Sequence, residues 1–454
     1  MSSLEEIRDT RIKKLELLKE KGINPFVSES KRELSLAQVL ESFDDLEKSG
    51  EQKWISGRIM SIRGQGAIVF ATLYDGSTSF QALIKKDSLD EEKFNLFGEV
   101  VDIGDFIEVQ GIFFITKRGE KSIEVKDWQM MTKSLLPLPE KWAGLQDTEE
   151  RFRKRYLEIL TDKEVSDRFI LRSKVIKEIR KFFDDLGFLE IETPILKNKA
   201  GGAMAEPFVT HHNDLDIDMK LRISLEIEHK MLMVGGYPAV YEIGKNFRNE
   251  GSDPTHIQEF TMMEWYSAYH TLEENITWTE TLLKSLAKDV IGKSIFTVYD
   301  KDGNGVEVNF DTVWPRAKFA DLLTQYAGID MQNISLEDLQ KDDYPGDLKP
   351  LANQNTDGTA KVAQLIIGGA EITNQYSELV DPLKQRELLE AQAKMKSAGD
   401  SEAMDLDEDF ITAMEYGMPQ MTGFGMGIDR LMAIFTEQKN LREVIFFPIM
   451  RPKE

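Results

Sequence analysis

The 454-residue chain contains no cysteine and only five histidines. Without thiols there is no disulfide framework, no thiolate nucleophile and no cysteine-bound zinc or iron–sulfur centre. Five histidines leave little room for a His-rich metal site. Long apolar runs are also missing: none reaches the roughly 18 residues of a membrane span, and residues 1–22 read as a charged amphipathic helix rather than a signal peptide. The expected location is the cytoplasm, with no membrane partner. Basic residues are scarce as well, 57 Lys and Arg against 80 Asp and Glu, for a net charge of -23. Taken alone, that balance argues against a nucleic-acid partner. What is present, 41% hydrophobic and 30% charged residues, is the composition of an ordinary globular protein, and the length suits two to three domains.

The charge is unevenly placed. Residues 1–50 hold 9 basic and 11 acidic side chains and residues 51–140 hold 11 and 14, so all but a few of the excess carboxylates fall in residues 141–454. A locally basic face in the first 140 residues is therefore compatible with the acidic whole.

The hydrophobic pattern divides the chain in the same way. Residues 4–21 form one solvated helix closed by Gly22 and Pro25, the start of a helical arm over residues 1–50. From Trp54 to Met131, five short alternating or aromatic-rich segments are separated by turn signals such as Asp75-Gly76 and Arg118-Gly119. Such spacing predicts a small antiparallel barrel of the OB type over residues 51–134. Leu135-Leu136-Pro137-Leu138-Pro139 opens a linker over residues 135–160. The rest, residues 161–454, begins with a periodic helix over 168–186 whose stripe is Val175, Ile176, Ile179, Phe182, Phe183 and Leu186. Strands (FLEIETPIL, AVYEIGKNF, EFTMMEWY) then mix with helices near 271–288 and 383–397 without regular alternation. The expectation is an α+β domain on a largely antiparallel sheet flanked by helices.

Two constellations carry chemistry. Arg248 ends one strand, and a guanidinium fork fixed there can clamp a phosphate or carboxylate. Around it Glu226, Glu242, Glu250, Glu259 and Glu264 make strand-rich sequence unusually acidic, either as a solvated face or as the lining of a pocket for a cation. The second is Gly423-Phe424-Gly425-Met426-Gly427-Ile428-Asp429-Arg430, a strand entering a helix; glycines at alternate positions strip one face of side chains and let a ligand approach the backbone.

In order and spacing, the segments LGFLEIETPIL, FRNEG through HIQEF, and GFGMGIDRL resemble the three motifs of class II aminoacyl-tRNA synthetases. GRIMSIRGQG, TKSLLPLPEKW, GGAMAEPFVTHHN, VGGYPAVYEIGKNFRNEG, NQYSELVDP and REVIFFPIMRP narrow the resemblance to the class II lysyl-tRNA synthetases, over nearly the whole chain. The resemblance implies lysine activation by ATP, transfer to tRNA(Lys), Mg²⁺ as cofactor and a homodimer. It places Arg248 on the α-phosphate and the amino-acid carboxylate, Arg430 on the γ-phosphate, Phe260 on adenine, and Glu250, His256 and Glu371 at the nucleotide. It places Glu378 and Tyr266, with Glu264 nearby, at the lysine ε-ammonium, Glu226 and Gly202 at the α-ammonium, and Asn374 on the carboxylate side. Metal would fall to Glu371 and Glu378. In the barrel it implies that Phe70 stacks on an anticodon base and Gln81 reads a base edge, with Arg63 and Glu120 beside them. A buried ammonium demands carboxylate and hydroxyl acceptors in place of its water, so the acidic positions favour lysine over aspartate or asparagine.

The chain departs from that pattern in places. Gln364 and Ala370 stand where such enzymes carry an acidic residue and an arginine, Ile257-Gln258 replaces Asn-Pro, and residues 331–362 are shorter than the usual helical insertion. These departures leave open an alternative, a synthetase-like paralogue that binds tRNA with reduced or no aminoacylation.

Overall fold

The computed structural model describes residues 3–139, 145–300, 303–328, 349–355, 359–400 and 402–453. The chain forms two compact units, residues 1–144 and 145–454.

In the first unit the arm consists of α1 (Leu4–Glu20), α2 (Leu36–Glu41) and α3 (Phe43–Ser49). Ser3 and Ser35 cap α1 and α2 in reciprocal boxes with Glu6 and Gln38, so each helix starts where its own sequence satisfies the first free amides. The strands β1 (Lys53–Gln65), β2 (Ile68–Tyr74), β3 (Ser79–Lys85), β4 (Phe106–Ile115) and β5 (Lys121–Thr132) close in the order β1-β2-β3-β5-β4, with α4 (Glu91–Val100) between β3 and β4. All pairings are antiparallel except β3 with β5. This is the expected OB barrel. Ile55, Ile59, Leu73, Ile84, Ile107, Val109 and Val125 fill its interior.

The second unit opens with α5 (Thr148–Arg153) and α6 (Arg155–Thr161). Part of the stretch expected as linker is thus helical: Asp147 caps α5, and the Arg155 guanidinium is buried against Glu158 and the carbonyl of Arg442. Next comes α7 (Lys163–Asp185), five residues longer at its start than its apolar stripe predicts, because Asp162 accepts from the amides of Glu164 and Val165. Its stripe of Val175, Ile179 and Phe183 packs on the main sheet with Tyr241, Trp265 and Phe424.

That sheet is built from β6 (Leu189–Glu190), β10 (Ala239–Phe247), β11 (Glu259–Ala268), β14 (Val362–Ile367), β15 (Ala370–Ser377) and β16 (Met421–Gly427), in the order β14-β15-β16-β11-β10-β6. Only the short edge strand β6 runs parallel to its neighbour. The segment FLEIETPIL yields two-residue strands, β6 and β7 (Leu196–Lys197), the latter in a small sheet with β8 (Val209–His212) and β9 (Ile217–Leu221). A separate hairpin joins β12 (Ile295–Tyr299) and β13 (Gly305–Asn309). The helices α8 (Glu226–Val234) and α9 (Leu272–Ser285) pack on the sheet strands, and the helices Pro382–Ser397, Glu408–Glu415 and Ile428–Phe435 complete the unit. The insertion read as shortened at 331–362 lies largely outside the described residues. Among the described residues no helix is long and apolar enough to cross a membrane.

Candidate active site

The antiparallel register sets β11 beside both β10 and β16, and β16 beside β15. One face of these strands, together with α8 and the start of the helix after β16, encloses a cavity of about 340 Å³. Gly202, Glu226, Arg248, Glu250, His256, Phe260, Glu264, Tyr266, Glu371, Asn374 and Arg430 all line it. Residues separated by more than 220 positions in sequence therefore meet at one site.

Its floor is acidic and buried. Glu226, Glu264 and Glu378 are buried, and so is Lys230, one turn along α8 from Glu226. The Lys230 ammonium lies 2.5 Å from Glu226 Oε1 and 2.6 Å from Glu378 Oε2. Burial alone would lower its pKa, but the two carboxylates outweigh it and hold the ammonium above its usual value. Burial pushes Glu378 above the ordinary carboxylate range; Lys230 opposes this and Glu226 adds to it. Glu264, also raised by burial, accepts from Ser224 Oγ at 2.9 Å and the Leu225 amide at 3.0 Å, and Tyr266 donates to it at 3.3 Å. Lys230 thus sits between two of the three buried carboxylates, Glu226 and Glu378, while Glu264 is held by Ser224, Leu225 and Tyr266.

Two glycines shape that floor. At Gly202, with φ +85°, a Cβ would meet Glu226 Cβ and Ser224 Oγ at 2.9 Å. At Gly423 a Cβ would fall 2.0 Å from Glu378 Oε1 and 2.5 Å from the Tyr266 ring. The Gly423 carbonyl is pinned by Asn275 Nδ2 at 2.8 Å, whose Oδ1 takes the Trp265 indole N–H at 2.9 Å, so β16 cannot slide away. Gly423→Ala is therefore expected to displace the Glu378 carboxylate and to weaken binding of an ammonium ligand roughly 5- to 150-fold, from the ~1–3 kcal/mol cost of overpacking; isothermal titration checks it.

The opposite end is basic. Asp429 accepts from the Thr261 amide at 2.7 Å and pairs with Arg172 of α7 at 2.7 Å, which fixes the start of the helix carrying Arg430. Arg430 donates to the Glu371 carbonyl at 2.9 Å and approaches His256 Nε2 at 3.2 Å, while His256 Nδ1 faces Asp253 at 2.9 Å. If Nδ1 carries the proton toward Asp253, Nε2 is left to accept from Arg430. Arg248 lies over the Phe260 ring at 5.2 Å; its Nε is buried without a partner. A desolvated guanidinium without an ion-paired carboxylate among the described residues is poised for an anionic ligand.

Not every acidic residue of the region joins the site. Glu242 belongs to a separate buried network with Arg222, His229 and Thr193, and Glu259 pairs with Lys245. Among the described residues no group of three or more His, Asp or Glu is arranged to hold a metal ion. Glu378, expected as a metal ligand, is ion-paired with Lys230 in the floor. Sequence reasoning missed Lys230, Ser224 and Tyr376; the four-residue spacing of Glu226 and Lys230 on one helix face was the available signal for the first.

In the barrel, Ala71 and Leu73 of β2 point inward, so Phe70 and Thr72 face out. Phe70 pairs in register with Arg63 and Leu83, and Thr72 with Gln81. Arg63, Phe70 and Gln81 hence share the outer face of β1–β3, and Phe70 is half-buried rather than part of the interior. Gln81 donates to Ser122 Oγ at 2.8 Å. Glu120 sits apart, exposed at the turn between β4 and β5.

Residues 147–451 match the family model described as tRNA synthetases class II (D, K and N), and residues 53–131 match that of the OB-fold nucleic acid binding domain. Among curated relatives, the chain is 39% identical to a lysine--tRNA ligase of Lactococcus lactis, over 99% of this chain and 100% of that one. It is 39% identical to that of Moorella thermoacetica, over 99% and 98%, and 40% identical to that of Clostridium perfringens, over 99% and 97%. The chain belongs to the class II lysyl-tRNA synthetase family.

Seen as those of a lysyl-tRNA synthetase, the departures acquire local reasons. Gln364 pairs across β14 and β15 with Asn374 in register, and its amide donates to Glu371 Oε2. An amide donor so stands beside Glu371 in place of a second carboxylate. Gln258 donates to the Glu250 carbonyl at 2.9 Å, and the Arg248 amide donates to the Gln258 carbonyl at 2.9 Å. The loop between β10 and β11 is thereby closed without the Asn-Pro pair.

Proposed function

We propose that this protein is a lysine-tRNA ligase that joins lysine and ATP to lysyl-adenylate and pyrophosphate, then passes the lysyl group to the terminal ribose of tRNA(Lys). The buried acidic floor of Glu226, Glu264 and Glu378 carries the reading. Lysine brings two ammonium groups to this floor, whereas aspartate and asparagine would bring a carboxylate or amide to an acidic wall. Glu378 and Tyr266, with Glu264, take the ε-ammonium; Glu226 and the backbone at Gly202 take the α-ammonium; Asn374 faces the carboxylate. Phe260 stacks on adenine, with Glu250 and His256 at the nucleotide. Arg248 holds the α-phosphate against the carboxylate, and Arg430 holds the γ-phosphate. The side chains act by positioning and by stabilising charge, so the absence of a thiol nucleophile costs nothing.

Mg²⁺ fits this end of the site through one protein carboxylate, Glu371, since Mg²⁺ usually keeps several waters and binds through one or two carboxylates and substrate phosphates. Its contribution would be to screen phosphate charge. Exposed apolar side chains of α7 and the C-terminal segment, including Ile170, Phe446, Phe447 and Ile449, support a homodimer, and the tRNA substrate supports work in the cytoplasm. No observation favours a tRNA-binding paralogue without activity.

Purified protein should catalyse ATP–pyrophosphate exchange that depends on lysine; exchange with aspartate or asparagine and none with lysine would overturn the assignment. The outer face of the barrel takes the anticodon, with Phe70 as the stacking platform. Phe70→Ala is expected to raise the KM for tRNA by roughly 5- to 150-fold, from a stacking contribution of about 1–3 kcal/mol per base, and to leave pyrophosphate exchange unchanged. Charging kinetics beside exchange kinetics test it.

A further inference from the structure

A further cation stands in the cavity. Lys349 lines the cavity; its ammonium donates to the Tyr376 hydroxyl at 3.3 Å and lies over the Tyr376 ring, 5.6 Å to the centroid. Among the described residues no carboxylate forms an ion pair with it. Burial draws its pKa down, opposed by the more distant Glu371 and Glu226. Around it the hydrogen bonds converge: Tyr376 also receives Asn374 Nδ2 at 2.6 Å, and Asn374 Oδ1 is buried without a partner.

The location of this cluster selects the ligand group. Asn374, Tyr376 and Glu378 follow one another at alternate positions, on and just past β15, and so share one face. Segment 349–353 runs alongside: Leu379 N bonds to Leu351 O at 3.1 Å, Asn353 N to Ser377 O at 2.8 Å, and Ala352 bridges to Glu378. Along the strand Tyr376 is about 7 Å from Glu378 and about 17 Å from Glu371, at a rise of about 3.3 Å per residue. The span from the ε-nitrogen of lysine to its carboxylate is on the order of the first distance, while the γ-phosphate contact of Arg430 lies at the Glu371 end.

We propose that Lys349, steadied by the Tyr376 hydroxyl, is a further substrate-binding residue that holds the α-carboxylate of the incoming amino acid together with Arg248. The pocket then recognises three groups of lysine at once, two ammoniums on the carboxylates of the floor and one carboxylate between two cations. This rests on lysine being the substrate.

The test compares lysine with lysinamide, which keeps both ammoniums and replaces the carboxylate by a neutral amide, by isothermal titration of the full-length protein. Lys349→Met should weaken lysine at least tenfold and leave lysinamide unchanged or tighter, because a positive charge has left an acidic cavity. Tyr376→Phe should weaken lysine a few-fold with the same selectivity, and Lys349→Arg should restore part of the loss. Equal weakening of both ligands, or an increased KM for ATP with lysine binding unaffected, would overturn the inference. Lack of lysine binding by the unaltered protein would instead overturn the proposed function.

Discussion

Replacing Glu378 by glutamine is expected to raise the KM for lysine in pyrophosphate exchange by two to three orders of magnitude. The substitution is nearly isosteric, so the cavity around Gly423 and Tyr266 keeps its shape, and the effect is one of charge. In the unaltered floor, Glu226 and Glu378 flank Lys230, at 2.5 and 2.6 Å. With glutamine one negative charge is gone, and Lys230, fully buried, is left with Glu226 as its single carboxylate partner. Removing one member of a buried ionic set costs about 3–5 kcal/mol. If roughly the same amount is lost from the bound state, where the ε-ammonium enters the same set, affinity falls about 10²- to 10³-fold. The KM for ATP should stay within a few-fold, since the nucleotide end is separate. An unchanged KM for lysine would mean that the carboxylate serves Lys230 alone.

How much of this was legible beforehand depended on whether a feature was local. The barrel followed from five short alternating segments and their turn signals, and α7 from its apolar stripe, because both patterns are periodic along the chain. The start of α7 was missed by five residues since its cap, Asp162, lies outside the stripe. The helices in the expected linker were missed because they are held by Arg155 and Glu158 against the C-terminal segment, a contact no local pattern reports. FLEIETPIL has strand composition yet pairs over only two residues at each end, since pairing depends on which neighbour the register supplies. In the site, motif residues could be placed by resemblance, and the cavity brings them together. What resemblance could not give was the company they keep: Lys230 between two carboxylates, Gln364 on Glu371, and Glu242 drawn into a network of its own. Those pairings arise from the packing of α8 on the sheet and from the register of β15 with β14.

Arg248→Lys is expected to lower kcat for pyrophosphate exchange by about 10²- to 10³-fold, although the charge is kept. Arg248 ends the segment after β10, its backbone locked to Gln258, and its guanidinium lies over Phe260 with Nε unpartnered and Nη2 only 3.5 Å from the Ile223 carbonyl. A planar fork so placed can bond to a carboxylate and a phosphate together and hold attacking and accepting atoms in line. An ammonium is a point charge that serves one of them and prefers hydration. Loss of one preorganised donor at developing charge costs about 10²–10³ in kcat. Binding of each ground-state substrate uses the charge more than the fork, so the KM values for lysine and ATP should shift less than tenfold. That split between kcat and KM separates alignment from affinity. A fall confined to KM would show that Arg248 merely attracts the anions, and the in-line geometry would then have to be fixed by Arg430 and the rest of the site.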